Sequence, residues 1–215
     1  MTAWALIPSW YRMLNNQGNA AMRILFATSL RAICRAALRS PVVFALAGML
    51  AAASPVCASG DHEVRATLLR NQEYADVLIN GIREARTNVI CSFYLFKVSN
   101  TRGNQPRRIA EELIKARRRG VEVTVILEMQ GARKGDSLNA DNHDTAALLS
   151  SGGVKVYFDS PRVTTHTKAV VIDNRFVYIG SHNLTQGALR YNNELSVFID
   201  SPDMAGELRA YLDRL

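Results

Sequence analysis

Cysteine, acidic residues and long apolar runs are each scarce in part of this chain of 215 residues. No Asp or Glu precedes Asp61, and two of the three cysteines, Cys34 and Cys57, lie in that acid-free segment. The remainder holds only Cys91, which excludes an intrachain disulfide and a cysteine-based zinc site there. The apolar run at 41–58 is shorter than the roughly 20 residues that a bilayer-spanning helix needs.

The acid-free segment has the form of a secretory leader. Arginines 31, 35 and 39 precede the apolar run "PVVFALAGMLAAASPVCA", which ends in small residues before the polar "SGDHE". These are the parts of a signal peptide, so we expect a leader at 1–58 that is cleaved after Ala58, with Met22 as an alternative start. The product would be a secreted or periplasmic domain of residues 59–215. The alternatives are a membrane anchor at 41–58 and, less favoured, a mitochondrial transit peptide.

The positive charge of the chain says little about its partner. The formal net charge is +7, but five of the 26 basic residues are arginines of the leader. From residue 59 onward 21 basic residues face 19 acidic ones, which leaves a net charge of +2. Composition alone therefore does not indicate a nucleic-acid-binding protein.

The pattern from about Asp61 onward is that of one α/β domain. Apolar fraction (48%) and charged fraction (21%) are those of a globular protein. Strands such as 87–98 ("TNVICSFYLFKV") and 121–128 alternate with amphipathic helices such as 71–85, and a tight turn at 173–175 joins two late strands. We therefore predict a three-layer α-β-α sandwich with a mixed, mostly parallel central sheet.

One short stretch, "THTKAVVIDNRFVYIGSHNLT", combines polar and apolar residues in an unusual way. Alternate residues of a strand share a face, so His166 and Lys168 should lie on one side and Asp173 on the other. The lysine can hold a phosphate as a point charge while the imidazole attacks phosphorus to form a covalent intermediate. A His-x-Lys pair alone is usually an ordinary surface pair on a strand.

Further polar groups follow at short spacing. Ser181 and Asn183 can donate hydrogen bonds to non-bridging phosphate oxygens and so stabilise the transition state. Glu194 opens an otherwise apolar strand, and a carboxylate there can orient an imidazole and set its tautomer. His182 lies between the two donors and should face the other way.

The six positions His166, Lys168, Asp173, Gly180, Ser181 and Asn183 together resemble the motif of the phospholipase D superfamily. From about residue 63 to 215 the order of elements looks like that of the superfamily's small secreted bacterial endonucleases. Glu194 stands where their single-motif members carry an acid that hydrogen-bonds the catalytic histidine. The resemblance implies a phospholipase D-like fold.

The resemblance also implies a mechanism. His166 would form a phosphohistidine while Lys168, Ser181 and Asn183 bind the phosphoryl group, with Asp173 and Gly180 as structural support. No metal and no cofactor is implied. Superfamily enzymes use two such motifs and this chain has one, so we expect a homodimer whose two copies of His166 meet in a site at the two-fold axis.

The substrate remains open between three interpretations. The single motif, the small size and basic loops favour a nonspecific endonuclease on DNA or RNA, with Arg133, Lys134, Arg107 and Arg108 as candidate contacts to flanking phosphates. A phospholipase D that converts phosphatidylcholine to phosphatidate and choline is the alternative, and an inactive binding module is a further one. Arg117, Arg118 and Arg119 form either a nucleic-acid-binding patch or a positive helix end that complements the helix dipole. Phe93, Tyr94 and Phe96 are predicted core residues.

Overall fold

Buried runs of β-branched residues build the sheet. The computed structural model describes residues 64–130 and 137–215, so the predicted leader and the loop residues Arg133 and Lys134 lie outside the described residues. The strands are β1 (Arg65–Arg70), β2 (Asn88–Phe93), β3 (Glu122–Leu127), β4 (Lys155–Phe158), β5 (Lys168–Ile172), β6 (Phe176–Gly180) and β7 (Leu195–Asp200). The helices are α1 (Glu73–Glu84), α2 (Gln105–Arg118), α3 (Ser137–Ser151), α4 (Gln186–Arg190) and α5 (Pro202–Leu212).

The seven strands form one mixed sheet in the order β1-β7-β6-β5-β2-β3-β4. The α/β class and the mixed sheet are confirmed, but the expectation of a mostly parallel sheet is wrong. Only the pairs β2–β3 and β3–β4 are parallel, and the four others are antiparallel. The reason is the connection after β4, where a loop without a helix returns the chain directly to β5 beside β2.

Helices cover both faces of the sheet. On one face α5 packs Ala205 and Leu212 against Ile90, Ile126 and Val171. On the opposite face α1 buries the side predicted from its 3.6-residue period, which is formed by Tyr74, Leu78, Ile82 and, just beyond the helix, Ala85. Burial of this apolar surface on both faces is the main driving force for folding of the domain.

Two predicted boundaries differ in the structure. β2 ends at Phe93, not at Val98, because the following residues leave the sheet and the backbone N–H of Phe96 donates to the Asn142 side chain of α3 (2.9 Å). α3 begins at Ser137, so Asp141 lies inside the helix, where it pairs with Lys97 (2.9 Å) instead of capping. Within the described residues, no helix is long and apolar enough to span a bilayer.

The strand directions bring several strand ends together. The carboxyl ends of β2, β3 and β6 meet the amino ends of β5 and β7 at one end of the sheet. The pleat of each strand then decides which side chains at this end share a face. All the predicted catalytic residues lie at this end.

Candidate active site

His166 and Lys168 lie where the chain enters β5. Lys168 pairs with Phe93 in the register of β2, is only 8% exposed, and donates from Nζ to the His166 carbonyl oxygen (2.9 Å). The His166 side chain is exposed, and its imidazole forms no hydrogen bond with any described residue. Its ring contacts Tyr94 instead, with 4.4 Å between the ring centroids.

The segment that carries His166 is fixed on both sides. The carboxylate of Glu128, a buried residue just past the end of β3, accepts a hydrogen bond from the Thr165 backbone N–H (2.6 Å). The Thr167 hydroxyl bonds Ser92 of β2, and its carbonyl accepts from the Tyr94 N–H (3.0 Å). The backbone on either side of His166 is thus pinned to the neighbouring strand ends.

Burial lowers the pKa of both groups. The pKa of His166 is below that of an ordinary histidine, mainly because the ring is partly desolvated and secondly because Lys168 is close. Desolvation also lowers the pKa of Lys168, while the carboxylate of Glu194 opposes that shift. A lowered histidine pKa keeps the imidazole neutral, and only the neutral ring can act as a nucleophile.

Ser181 and Glu194 form a second cluster at the ends of β6 and β7. The Ser181 hydroxyl donates to one Glu194 carboxylate oxygen and accepts from the Leu195 N–H (3.1 Å). The other carboxylate oxygen accepts from the Asn192 side chain (3.1 Å). The Glu194 backbone exchanges hydrogen bonds with Asn71, each 2.9 Å long.

The expected hydrogen bond between Glu194 and His166 is therefore absent from the described part of the chain. Both carboxylate oxygens are occupied by other donors, Ser181 at the end of β6 and Asn192 just before Glu194. Glu194 still acts on the site electrostatically through Lys168.

Asn183 and Gly180 complete the second half of the motif. The Asn183 side-chain oxygen is buried and has no hydrogen-bond partner among the described residues. Such an uncompensated buried polar atom costs free energy, and the NH2 group of the same amide is the donor from which a phosphate oxygen would accept. Gly180 is required sterically, because a Cβ there would overlap both the backbone and the side chain of Ser196 on β7.

Comparison with known proteins identifies the family of the chain. The model of a family described as cardiolipin synthase, phospholipase D-like domain, matches residues 78–215, well over half of the chain. The chain belongs to this phospholipase D-like family. Cardiolipin synthase A of Citrobacter koseri is 35% identical over 101 residues, which are 46% of this chain and 20% of that protein. The chain thus spans about a fifth of the length of that curated relative.

Two solved structures show the same fold. Nuc of Salmonella typhimurium, described as a phospholipase D family member, superposes with a TM-score of 0.59 at 22% identity, covering 71% of this chain and 93% of that one. NucT from Helicobacter pylori gives a TM-score of 0.56 at 22% identity, covering 71% and 95%. The similarity to both extends over nearly the whole length of those chains.

Two residues of the motif region in this phospholipase D-like domain do not face the site. Asp173 sits at the opposite end of β5, where its carboxylate accepts from the backbone N–H groups of Arg86, Thr87 and Asn88. His182 turns into the core, stacks on Tyr74 (4.4 Å between centroids) and uses both ring nitrogens. Both residues hold strands in place.

The candidate substrate-binding arginines are engaged locally. Arg107 contacts Glu111 (3.2 Å) and Asn100 (2.7 Å), and Arg108 donates to Gln105 (2.8 Å) in the first turn of α2. At the other end of α2, Arg117 donates to the Gly153 carbonyl (3.0 Å) and Arg119 to the Ile82 carbonyl (2.9 Å). These contacts tie the end of α2 to the turn before β4 and to the last turn of α1.

Sequence reasoning missed two residues that the fold brings to the site. Phe93 and Phe96 are fully buried as predicted, but Tyr94 is half-buried and lies against His166 and Lys168. Glu128 was predicted only as part of a strand. A carboxylate at the end of a central strand was a usable signal, since such strand ends are where α/β sheets bind ligands. No group of three or more His, Cys, Asp or Glu in residues 64–130 and 137–215 could hold a metal ion.

Proposed function

We propose that the protein is a phosphodiesterase that works through a phosphohistidine on His166, without a metal ion. The observation that carries the proposal is an exposed imidazole with no hydrogen-bond partner in the described chain, two residues from a buried lysine. A side chain with these properties is poorly placed for stability and well placed to attack. Family membership supports the assignment.

The proposed reaction proceeds in two displacements. An imidazole nitrogen of His166 attacks phosphorus, the bond to the leaving oxygen breaks, and a second histidine protonates that oxygen. Lys168 and Asn183 stabilise the charge on the non-bridging oxygens, and Ser181 joins them when its hydroxyl turns from Glu194 to the phosphate. Water activated by the second histidine then attacks the phosphohistidine, which releases a phosphomonoester and regenerates the neutral imidazole.

The second histidine comes, in this proposal, from another copy of the chain. An apolar patch formed by Leu68, Ile179 and Leu195 is 50%, 38% and 52% exposed. Ile179 and Leu195 adjoin the motif directly, since Leu195 donates to the Ser181 hydroxyl. A two-fold partner that buries this patch would place its own site beside this one.

The dimer can be tested by mixing subunits. If each site needs two copies of His166, protein mixed with His166→Asn and allowed to exchange subunits loses activity as the square of the wild-type fraction. A linear dependence contradicts a shared site. Leu195→Glu should give monomers in sedimentation, whereas the matched variant Leu195→Met should remain dimeric.

We propose nucleic acid as the substrate, because the chain has one motif and loops with exposed arginines such as Arg102 next to the site end of the sheet. A phospholipid substrate is the second candidate. It is favoured by the name of the relative, cardiolipin synthase A, and by the strongly exposed Val163 (74%) and Tyr191 (80%), which flank His166 and Glu194 in the sequence.

One experiment separates the candidates. The purified protein and His166→Asn are incubated in excess EDTA with plasmid DNA, RNA, and vesicles of phosphatidylcholine or cardiolipin. Cleavage of nucleic acid that survives EDTA and disappears in the variant supports the nuclease, and headgroup release alone supports the lipid enzyme. Loss of activity in EDTA contradicts the metal-free mechanism. If none of these substrates is turned over, the inactive binding module is the interpretation that remains.

We also propose that residues 59–215 are the mature secreted or periplasmic domain. The support is the signal-peptide pattern before Ala58. Mass spectrometry of the protein recovered from its native compartment should give an N-terminus at Ser59. An intact apolar run at 41–58 in a membrane fraction would instead indicate an anchor.

A further inference from the structure

Tyr94 is an aromatic side chain that the proposed chemistry does not use, although it touches both central groups. It follows directly on β2, and its ring lies 4.4 Å from the His166 ring, centroid to centroid, at an interplanar angle of 59°. The ammonium of Lys168 lies 5.1 Å from the Tyr94 centroid, over the ring. One ring thus packs on the imidazole and makes a cation–π contact with the lysine.

The Tyr94 ring is itself rigidly held. Its backbone N–H donates to the Thr167 carbonyl (3.0 Å), and its carbonyl accepts from the Asn142 side chain (3.0 Å). Its hydroxyl accepts from the side chain of Gln130 (2.8 Å), whose backbone is bonded in both directions to Asn139 of α3. The Tyr94 side chain is therefore held both at its backbone and at its hydroxyl.

His166 needs such a support because the described chain gives it no other. Its imidazole is exposed and forms no hydrogen bond with a described residue, so packing is what restricts its rotation. A nucleophile must be held near the attack geometry, and misplacement by about 1 Å can cost about 100-fold in rate. An anchored ring can supply that restriction without lowering the nucleophilicity of the imidazole, which a hydrogen bond to the attacking nitrogen would do.

We propose that Tyr94 is a positioning residue whose ring fixes the orientation of the His166 imidazole and supports the charged ammonium of Lys168. The proposal rests on the role of His166 in the proposed function. The ring, and not the hydroxyl, carries the effect. Tyr94 makes no bond to the substrate and takes no proton.

The test compares Tyr94→Leu, which removes the ring, with Tyr94→Phe, which removes only the hydroxyl. With bis(4-nitrophenyl) phosphate we expect Tyr94→Leu to lower kcat about 10- to 100-fold while KM changes much less. Tyr94→Phe should stay within about threefold of the wild type, since the ring remains. The pKa of His166, followed by NMR titration, should rise in Tyr94→Leu toward the ordinary value of about 6.5, because the ring no longer shields the imidazole from water.

NMR also tests the geometry without any substrate. The His166 ring protons should move in Tyr94→Leu, because the ring current of Tyr94 is lost, and should change little in Tyr94→Phe. A matched core variant, Phe96→Leu, should lower stability and leave these resonances in place, since Phe96 does not touch His166.

Three results would overturn the proposal. They are a wild-type kcat in Tyr94→Leu, an equal loss in Tyr94→Leu and Tyr94→Phe, and unmoved His166 resonances in Tyr94→Leu. If the wild type turns over no phosphodiester, the proposed function fails and the resonances alone decide: unmoved signals reject the placement of Tyr94, and moved signals support it.

Discussion

Motif residues lie at both ends of β5, and the two ends differ in how their polar side chains are hydrogen-bonded. At the amino end His166 is exposed, its ring has no hydrogen bond to a described residue, and Lys168 is a buried cation. At the carboxyl end the Asp173 carboxylate accepts from three backbone N–H groups and the Thr87 hydroxyl. An imidazole without a hydrogen bond at one end and a saturated carboxylate at the other indicate that the first end serves chemistry and the second stability.

The same contrast separates the histidines of the motif region. His182 is buried, and its ring bonds the Ser196 hydroxyl (2.7 Å) and the Asn71 carbonyl (2.8 Å). His166 is exposed, with a ring that is only partly desolvated, and that ring has no hydrogen bond to a described residue. A histidine inside a catalytic motif is therefore not necessarily catalytic, and the partners of its ring distinguish the two cases.

The strongest test of this comparison is Lys168→Met. We expect kcat to fall by about 1,000-fold or more, since the charge that binds the phosphoryl group is lost. The free energy of unfolding should stay the same or rise, because a partly desolvated cation is replaced by an apolar side chain. The measurements are steady-state kinetics and urea unfolding.

Lys155→Met is the matched control for that variant. Lys155 lies on the edge strand β4, where it pairs with Glu122 (2.8 Å) far from the motif. Its replacement should leave kcat unchanged. Activity of Lys168→Met within tenfold of the wild type would contradict the assignment of this strand end to chemistry.

Asp173→Ala should have the opposite effect. Four donors lose their acceptor, and alanine is poorly suited to the left-handed backbone at φ 54°. We expect a loss of about 3 kcal/mol in the free energy of unfolding, with kcat within a few-fold of the wild type at a temperature where the variant is folded.

Asn174→Gly provides the control at this end. Asn174 also has a positive φ of 50°, and glycine adopts that conformation readily. Its stability in urea should be close to that of the wild type. If Asp173→Ala instead kept its stability and lost activity, the division between the two ends would be wrong.

The pH dependence of the activity should reflect the ionisation of the groups at the amino end of β5. One copy of His166 must be neutral to attack, the other copy must be protonated to act as the acid, and Lys168 must be charged; burial lowers the pKa of both residues. The acidic limb of kcat/KM should therefore lie below the ordinary histidine value of about 6.5, and the alkaline limb, set by the protonated copy of His166, should lie well below the ordinary lysine value of about 10.4. An acidic limb above 6.5 would mean that His166 is not the titrating nucleophile.

The smallest expected effect concerns stability near pH 6. Burial lowers the pKa of His182 in the folded state, partly offset by its bond to Asn71 and by Glu194. The unfolded chain then binds more protons, so the free energy of unfolding should decrease as the pH falls below about 6.5. His182→Gln should show a flatter dependence between pH 6.5 and 5 in urea unfolding, whereas His166→Asn should change it less. Equal slopes for wild type and His182→Gln would contradict the buried neutral imidazole.

Local sequence patterns predict much of the secondary structure of this domain. The period of α1 gave its buried face, and the strand alternation placed His166 and Lys168 at one end and Asp173 at the other. The sheet direction was misjudged because the helix-free return from β4 to β5 is a property of a loop, and loops carry no periodicity. The resemblance predicts a hydrogen bond between Glu194 and His166, but Ser181 and Asn192 donate to the two oxygens of that carboxylate instead.

What the sequence by itself determined was the set of residue types and their spacing, since both follow from short-range geometry. What only the tertiary structure decided was which strand ends meet. Tyr94 and Glu128 are distant in sequence from His166, and hydrogen bonds across β2, β3 and β5 bring them to the segment that carries it. Contacts of that range depend on the order and register of the strands, which are fixed when the whole sheet buries its two faces.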